Sequence, residues 1–290
     1  MTDKEINALI TLLDDPDKDI YQAISQTLMD KGIAIVPDLE KAWENSAVSA
    51  VQDRIEYIIQ KIQLNHVHSS LVVWLNNGAT DLLEGAYIIA KYQYPDLGFF
   101  EVVNIIDKIK HDVWLEINDN LTALEKVRVI NHILFDIHKF AANNSNYYSP
   151  QNSYINQVLL SKKGNPISLS IVYAVVAQKL GLPVYGVNLP KNFILAYKDE
   201  YHDLFPSGEE VLFYINPFNK GAVLGRKEID IFLKQQNIAP EPLFYKPCSN
   251  VDIIQRMIMN LIYSYEKLGY ESKVKDLQSL MKLTRLSGTR

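Results

Sequence analysis

The residues of this chain that could carry nucleophilic chemistry are two serines on one apolar helix and a single cysteine. Ser168 and Ser170 follow Pro166 near the start of a long apolar run. A serine becomes a nucleophile when a base lies within hydrogen-bond reach of its hydroxyl. Cys248 precedes a predicted helix that begins near Val251, and a helix N-terminus lowers the pKa of a thiol. The sequence offers no partner for Cys248, so a structural cysteine is the simpler interpretation.

The histidines give little support for a metal site. His132 and His138 are six residues apart, so they do not share a helical face as i, i+4 ligands would. His66 and His68 could lie on one side of a strand, but predicted helices surround them. No cluster of thiolates or carboxylates accompanies these histidines, and the chain has no glycine-rich phosphate loop. We therefore expect packing or surface histidines, with no metal and no cofactor.

Composition excludes several classes of function. The 290 residues are 48% hydrophobic and 22% charged, which is ordinary for a globular protein. A net charge of −5 argues against a nucleic-acid partner, since such binders usually carry a basic excess. The apolar stretches are too short to span a bilayer, and the first residues lack the pattern of a signal peptide. With Cys248 as the only cysteine, no internal disulfide can form, and cytoplasmic residence away from membranes is expected.

Residues 3 to 92 are predicted to form helices separated by short turns. A weak sequence repeat recurs after about 31 positions, with Leu12 matched to Trp43 and Ile20 matched to Val51. A repeated helical hairpin that covers its apolar face with its neighbour is typical of a solenoid. This pattern resembles a HEAT repeat, and we predict two repeats, the second degenerate. A plain helical bundle is the alternative.

The most apolar helix of the chain is predicted over residues 165–180. Asn165 is a good N-cap, Pro166 suits the first turn, and Gly181 is expected just past the end. A helix that is apolar nearly all round is buried at the centre of a domain. A shorter helix is expected before it, from Ile155 to Leu160.

The region after this helix changes to β-branched and aromatic residues. Short strands are predicted over residues 183–189, 192–197 and 211–215, and their short connections favour an antiparallel sheet. A helix is predicted over residues 228–235. Two further helices end the chain, and the Gly269 between them lies in a segment that resembles the turn of a tetratricopeptide unit.

Residues from about 80 to 284 resemble the SirB-type branch of the transglutaminase-like superfamily. The matching pieces are long and occur in the right order: residues 147–154, 164–173, 180–183, 186–193 and 216–218. The resemblance implies a papain-like core, in which a buried helix packs against an antiparallel sheet. The fold class we expect is therefore α+β and predominantly helical, with helical repeats on both flanks.

Active members of this superfamily use a cysteine on the helix, a histidine on the first strand after it and an aspartate on the next. The cysteine lies two residues after a glycine and fifteen before the glycine that closes the helix. Gly164 and Gly181 therefore place Pro166 at the position of the nucleophile. SirB-type relatives typically lack the cysteine but tend to keep the histidine and the aspartate; here Asn192 and Asn216 stand in their places. Proline cannot attack a carbonyl and asparagine cannot act as a base near neutral pH, so the resemblance implies a degenerate triad.

The segment from 143 to 154 is rich in asparagine and tyrosine and is predicted to be an ordered loop. In the fold implied by the resemblance it lies near the N-terminus of the buried helix, whose free amides favour an anion or a carbonyl. The candidate cleft residues are Tyr147, Tyr148, Asn152, Tyr154, Asn165 and Ser168. The alternative is that the asparagines satisfy the loop backbone and the tyrosines cover the core.

These observations predict a non-catalytic transglutaminase-like protein. Its expected domains are a HEAT-like region over 1–78, a transglutaminase-like core over 79–245 and a tetratricopeptide-like hairpin over 246–290. Its expected function is to bind an unidentified protein or peptide, in the degenerate cleft or on the N-terminal helices. One rival is a hydrolase or peptidase-like enzyme that uses Ser168 in the same cleft. A second rival is a scaffold whose core only stabilises its helical flanks.

Overall fold

A computed structural model describes residues 3–199 and 210–287 of the chain. Internal contacts divide the chain into two compact units, Met1–Val73 and Trp74–Arg290. The structure is α+β and mostly helical with one small antiparallel sheet, so the predicted fold class is confirmed. The division into three domains stays a prediction.

The helices that begin in the first unit are Asp3–Thr11 (α1), Lys18–Met29 (α2), Val36–Asn45 (α3) and Ser49–Asn76 (α4). Short 3₁₀ turns over Leu12–Asp14 and Gly32–Ile35 connect α1 to α2 and α2 to α3. Their core is aliphatic and includes Leu13, Leu28, Leu39, Ile55 and Ile58.

Burial in the first unit only partly follows the predicted repeat. Leu12 and Trp43 are both exposed, so these two matched positions do agree with each other. Ile20 is exposed whereas its counterpart Val51 is buried. The HEAT-like repeat stays a prediction, because residues matched in the sequence repeat are not consistently buried or exposed together.

The second unit is built around one central helix. Its helices are Leu82–Lys91 (α5), Phe99–Trp114 (α6), Ala123–Asn131 (α7), Ile155–Ser161 (α8), Pro166–Lys179 (α9), Arg226–Gln235 (α10), Asn250–Leu268 (α11) and Glu271–Ser287 (α12). A π-helical turn over His132–Ile137 extends α7, and short 3₁₀ turns cover Pro150–Asn152, Pro217–Asn219 and Pro242–Phe244. Every residue of α9 from 166 to 177 is buried, as predicted from its apolar character.

Within residues 3–199 and 210–287, the sheet has four antiparallel strands in chain order: Val184–Val187 (β3), Ile194–Lys198 (β4), Val211–Asn216 (β5) and Ala222–Leu224 (β6). The first three were predicted, and the short β6 was not. Two further short strands, Ala141–Ala142 (β1) and Lys163–Gly164 (β2), form a separate parallel pair. Helix α9 packs against β3 and β4 and also contacts α5, α6, α8 and α11. The buried helix against a small antiparallel sheet is thus present.

Candidate functional site

The start of α9 is closed by its own side chains. The Ser168 amide donates to Oδ1 of Asn165 at 3.0 Å, and the Asn165 amide donates to Oγ of Ser168 at 3.1 Å. This reciprocal pair is a capping box, which satisfies amides that a helix leaves free at its N-terminus. The Ser168 hydroxyl also donates to the carbonyl of Asn165 and is 0% exposed. The hydroxyl is therefore committed to the helix cap and out of reach of a substrate.

The loop before α8 is held by one buried amide side chain. Asn152 accepts a hydrogen bond from Nδ2 of Asn143 at 2.8 Å. Its own Nδ2 donates to the carbonyls of Asn146 and Tyr147. Because Asn152 is buried, these bonds replace the water that the loop backbone would otherwise need. Asn152 thus orders the loop rather than facing a ligand.

Tyr154 and Asn165 are buried as well. The Tyr154 hydroxyl lies 3.0 Å from the hydroxyl of Tyr265, and burial raises the pKa of Tyr154 well above its usual value. Nδ2 of Asn165 donates to Oγ of Ser153 at 2.8 Å. Of the six cleft residues suggested by the sequence, Asn152, Tyr154, Asn165 and Ser168 are interior, and Tyr147 and Tyr148 are exposed.

Residues 166, 192 and 216, which the resemblance assigns to the triad, lie at neighbouring ends of the central elements. Pro166 is buried in the first turn of α9. One turn later, the Ser170 hydroxyl donates to the carbonyl of Phe193, the residue after Asn192, at 3.5 Å. Leu195 pairs with Ile215 in the sheet, and Asn216 ends β5 directly before a 3₁₀ turn that α9 contacts.

The side chains of the two asparagines have different surroundings. Oδ1 of Asn192 accepts from the amide of Phe193 at 2.8 Å, a local bond that fixes the loop before β4. Oδ1 of Asn216 is buried and has no hydrogen-bond partner among the residues that the structure describes. Neither side chain is arranged to move a proton, since an amide keeps its protons near neutral pH.

An arginine that the sequence analysis did not single out lies beside Asn192. Arg256 on α11 donates from Nη1 to Oδ1 of Asn188 at 2.7 Å and from Nη2 to the carbonyl of Asn192 at 3.3 Å. Burial lowers the pKa of Arg256, and nearby Tyr147 acts in the opposite direction. The only sign of Arg256 in the sequence was a charged residue between the apolar positions of a predicted helix. That signal is weak, because arginines on half-buried helices are common.

Four aromatic rings form a continuous series next to this arginine. Ring centroids are 6.2 Å apart for Phe218 and Tyr147, 5.3 Å for Tyr147 and Tyr148, and 5.6 Å for Tyr148 and Tyr263. We call this set the aromatic row. Tyr147, Tyr148 and Tyr263 are 42%, 52% and 45% exposed, so the row presents aromatic surface to solvent.

The remaining candidates for chemistry have structural surroundings. Burial, and secondarily Asp252, raises the pKa of Cys248 to about 12, so its thiol stays protonated near neutral pH. His138 pairs with Asp112 at 2.7 Å, and His132 pairs with Asp136 at 3.2 Å. Within residues 3–199 and 210–287, no three His, Cys, Asp or Glu side chains gather closely enough to hold a metal ion.

A cavity of about 540 Å³ lies at the other end of α9. Its lining includes Gln178, Gly181, Tyr185 and Asn250. Gln178 and Gly181 lie at the C-terminal end of α9, whereas Pro166 lies in its first turn. The cavity is therefore separate from residues 166, 192 and 216.

Comparison of the sequence with known proteins places the chain in a family. A model of the transglutaminase-like superfamily matches residues 100–259. A UPF0162 protein of Xylella fastidiosa is 30% identical over 164 residues, which cover 55% of each chain. F-box only protein 21 of Mus musculus is 32% identical over 158 residues, which cover 53% of this chain and 24% of that protein. The UPF0162 protein YchA of Escherichia coli is 27% identical over 184 residues, 62% of this chain and 65% of YchA.

The coverage limits what these relatives imply. The chain spans about half the length of the Xylella fastidiosa proteins that it matches and about a quarter of F-box only protein 21. No solved structure matches the chain significantly. In the part of the chain that the structure describes, every helix is too short or too polar to cross a membrane.

Proposed function

Because the chain belongs to the transglutaminase-like superfamily, we propose that it is a SirB-type member that binds a protein or peptide without catalysis. Replacement of all three catalytic groups carries this proposal: proline, asparagine and asparagine occupy residues 166, 192 and 216. Thiol acyl transfer needs a thiolate to attack and a base to accept its proton. Neither proline nor asparagine supplies either function.

The rival hydrolase would need Ser168 as its nucleophile. Oγ of Ser168 is fully buried and already bonded to both the amide and the carbonyl of Asn165. The neighbouring strand position that would supply a base is Asn192, whose oxygen is occupied by a backbone amide. The surroundings of Ser168 therefore favour a helix cap over a nucleophile, and the proposal keeps the non-catalytic function.

The aromatic row is the surface that we propose for binding. Tyrosine and phenylalanine are enriched in protein interfaces because they bury a large area at low entropic cost. Tyr147 and Tyr148 come from the loop, Phe218 follows β5 and Tyr263 is on α11. Three separate segments thus present one surface beside the degenerate triad.

The flanking helices belong to the same proposal. We propose that the N-terminal unit is HEAT-like and that α11 and α12 form a tetratricopeptide-like pair. Support for the pair comes from Gly269, which ends α11 in a left-handed conformation with φ +77°. We also propose a cytoplasmic location, which the single cysteine favours.

Binding of a synthetic library of random short peptides to the full chain tests the proposal. We expect saturable binding of a subset of peptides, and we expect Tyr148→Ala to weaken it by about tenfold, since interface tyrosines often dominate affinity. Tyr57→Ala is the matched control, because Tyr57 is similarly exposed but lies in the first unit. Equal effects of the two substitutions would remove the aromatic row from the proposal.

Reactive probes test the absence of catalysis. Serine-directed and thiol-directed probes should leave Ser168 and Cys248 unlabelled in the folded chain. Labelling of Ser168 that disappears in Ser168→Ala would establish the rival enzyme instead.

A further inference from the structure

The guanidinium of Arg256 has donors that the protein does not use. An arginine carries five N–H groups. Two of them donate, one to Oδ1 of Asn188 and one to the carbonyl of Asn192. The other three (5 − 2 = 3) have no acceptor among the residues that the structure describes. The guanidinium is therefore held in place by two hydrogen bonds and can donate to further acceptors.

No carboxylate within the described ranges lies within ion-pair distance of Arg256. Within the described part of the chain, Tyr147 is the side chain whose charge interaction affects the pKa of Arg256, and a tyrosine is neutral near pH 7. A half-buried cation without an anion is unfavourable, because it loses hydration and gains no counter-charge. An incoming carboxylate would supply that counter-charge and could accept two parallel hydrogen bonds from the guanidinium.

The position of Arg256 defines which part of a ligand it would meet. It touches the carbonyl of Asn192, which stands where the superfamily has its catalytic base. Its aromatic neighbour Tyr147 is an inner ring of the aromatic row, with Phe218 on one side and Tyr148 on the other. A peptide lying along the row would continue past Arg256 in both directions. It would therefore present a side chain at this point and not a chain end.

The same face of α11 continues the surface. Met259 and Tyr263 are three and seven residues after Arg256 and share its helical face. Both are exposed. Arg256 thus lies on a helical face that continues into exposed apolar and aromatic surface, and arginine and tyrosine are enriched among the residues that dominate binding energy.

We infer that Arg256 binds the side-chain carboxylate of an aspartate or glutamate in a peptide that lies along the aromatic row. This inference rests on the proposed binding function and specifies its ligand class. No bond to carbon forms or breaks. The carboxylate occupies the open side of the guanidinium, while Asn188 and Asn192 hold the opposite side.

The test uses the full chain and random short peptides with an acetylated N-terminus and an amidated C-terminus, so that side chains are the only carboxylates. We expect the bound peptides to share an Asp or Glu at one fixed position. Changing that residue to its amide should weaken binding about tenfold to a hundredfold, the range for a hydrogen-bonded charge. A parallel library with free C-termini should show no additional preference for the chain end.

Three variants locate the effect. Arg256→Gln should lower the affinity for the acidic peptide to that of its amide counterpart, and Arg256→Lys should give an intermediate loss because lysine lacks the fork. Asn188→Asp is nearly isosteric and replaces the amide that accepts from Arg256 with a carboxylate, which would pair with the guanidinium in place of the peptide's carboxylate. This substitution should weaken the binding of the acidic peptide without disturbing the fold. Arg128→Gln, on the exposed face of α7, is the control and should have no effect.

The outcomes separate the inference from its premise. If the wild-type chain binds no peptide in either library, the proposed function fails. If peptides bind but show no fixed acid, or if Arg256→Gln keeps the preference for the acid, the role of Arg256 is refuted and binding by the aromatic row stands. A preference confined to free C-termini would also overturn the assignment to a side chain. Loss of stability in Arg256→Gln without loss of acid preference would leave Arg256 a structural residue only.

Discussion

Replacement of Gly221 by alanine should be far more destabilising than replacement of Gly181. Both glycines are left-handed, with φ +71° at Gly221 and φ +75° at Gly181. A side chain in that conformation costs about 1 to 2 kcal/mol at either position. A Cβ atom at Gly181 would meet nothing within 4 Å in the described parts of the chain. The conformational penalty is therefore the whole expected cost of Gly181→Ala.

At Gly221 the new Cβ would overlap the amide of Asn131. Its distance to Nδ2 would be 2.6 Å, and Oδ1 and Cγ would be closer still. That amide donates to the Gly221 carbonyl at 2.8 Å, so moving it away breaks a part-buried hydrogen bond. Loss of such a bond costs about 1 kcal/mol, and a polar group left without a partner costs about 1 to 3 kcal/mol more. We therefore expect Gly221→Ala to cost about 3 to 6 kcal/mol, which is about 2 to 4 kcal/mol beyond Gly181→Ala.

Urea unfolding followed by far-UV circular dichroism measures this difference. Both glycines lie in the second unit, so the same transition should shift in both variants, and its midpoint should fall further for Gly221→Ala. Asn131→Ala removes the overlapping atoms, so adding it to Gly221→Ala should recover part of the loss in a double-mutant cycle. Equal midpoints for the two glycine variants would refute the packing of Gly221 against Asn131.

Three further substitutions have defined expectations. Ser168→Ala should cost about 1 kcal/mol of stability, because the cap loses its bond to Asn165, and should change no reactivity. Tyr154→Phe should cost about 1 kcal/mol through its lost bond to Tyr265, measured by thermal unfolding. Because the pKa of Cys248 rises from 9.0 to about 12 on folding, the thiol loses its proton at lower pH in the unfolded chain than in the folded chain. Stability should therefore fall as pH rises from about 9 to about 12, and Cys248→Ala should remove this part of the decline.

Each of these expectations has a contrary result. A Ser168→Ala variant with wild-type stability would show that the capping box does not support the helix start. An unaffected melting temperature in Tyr154→Phe would mean that the buried hydroxyl pair contributes nothing net. A native thiol that reacts as rapidly as a model thiol at pH 8 would contradict the burial of Cys248.

Local signals were enough to predict the central helix and most of the sheet. Asn165 caps α9, and Gly181 follows its end in the left-handed conformation, as their residue types indicated. Strands β3, β4 and β5 have several β-branched or aromatic residues each, which is a strong local signal. The three residues of β6 were missed because they pair with β5 after a turn at Gly221, and a strand of that length carries almost no pattern of its own.

The candidate cleft was harder to predict. Tyrosines and asparagines at 143–154 indicated an ordered loop, which the network around Asn152 explains. The sequence could not separate interior residues such as Tyr154 from exposed ones such as Tyr148, because both are tyrosines in the same irregular segment. Burial there depends in part on α11, whose Tyr265 bonds Tyr154 from 111 residues later in the chain.

By itself the sequence determined membership of the superfamily, which depends on which residue occupies which position, and it is the basis of our proposal that three catalytic groups are replaced. Only the tertiary structure decided that Ser168 is sealed in a helix cap and that Arg256 lies against Asn192, 64 positions away. The physical reason is that a helix cap or a strand is specified by neighbours in the chain. A contact between distant segments depends on how all the intervening elements pack.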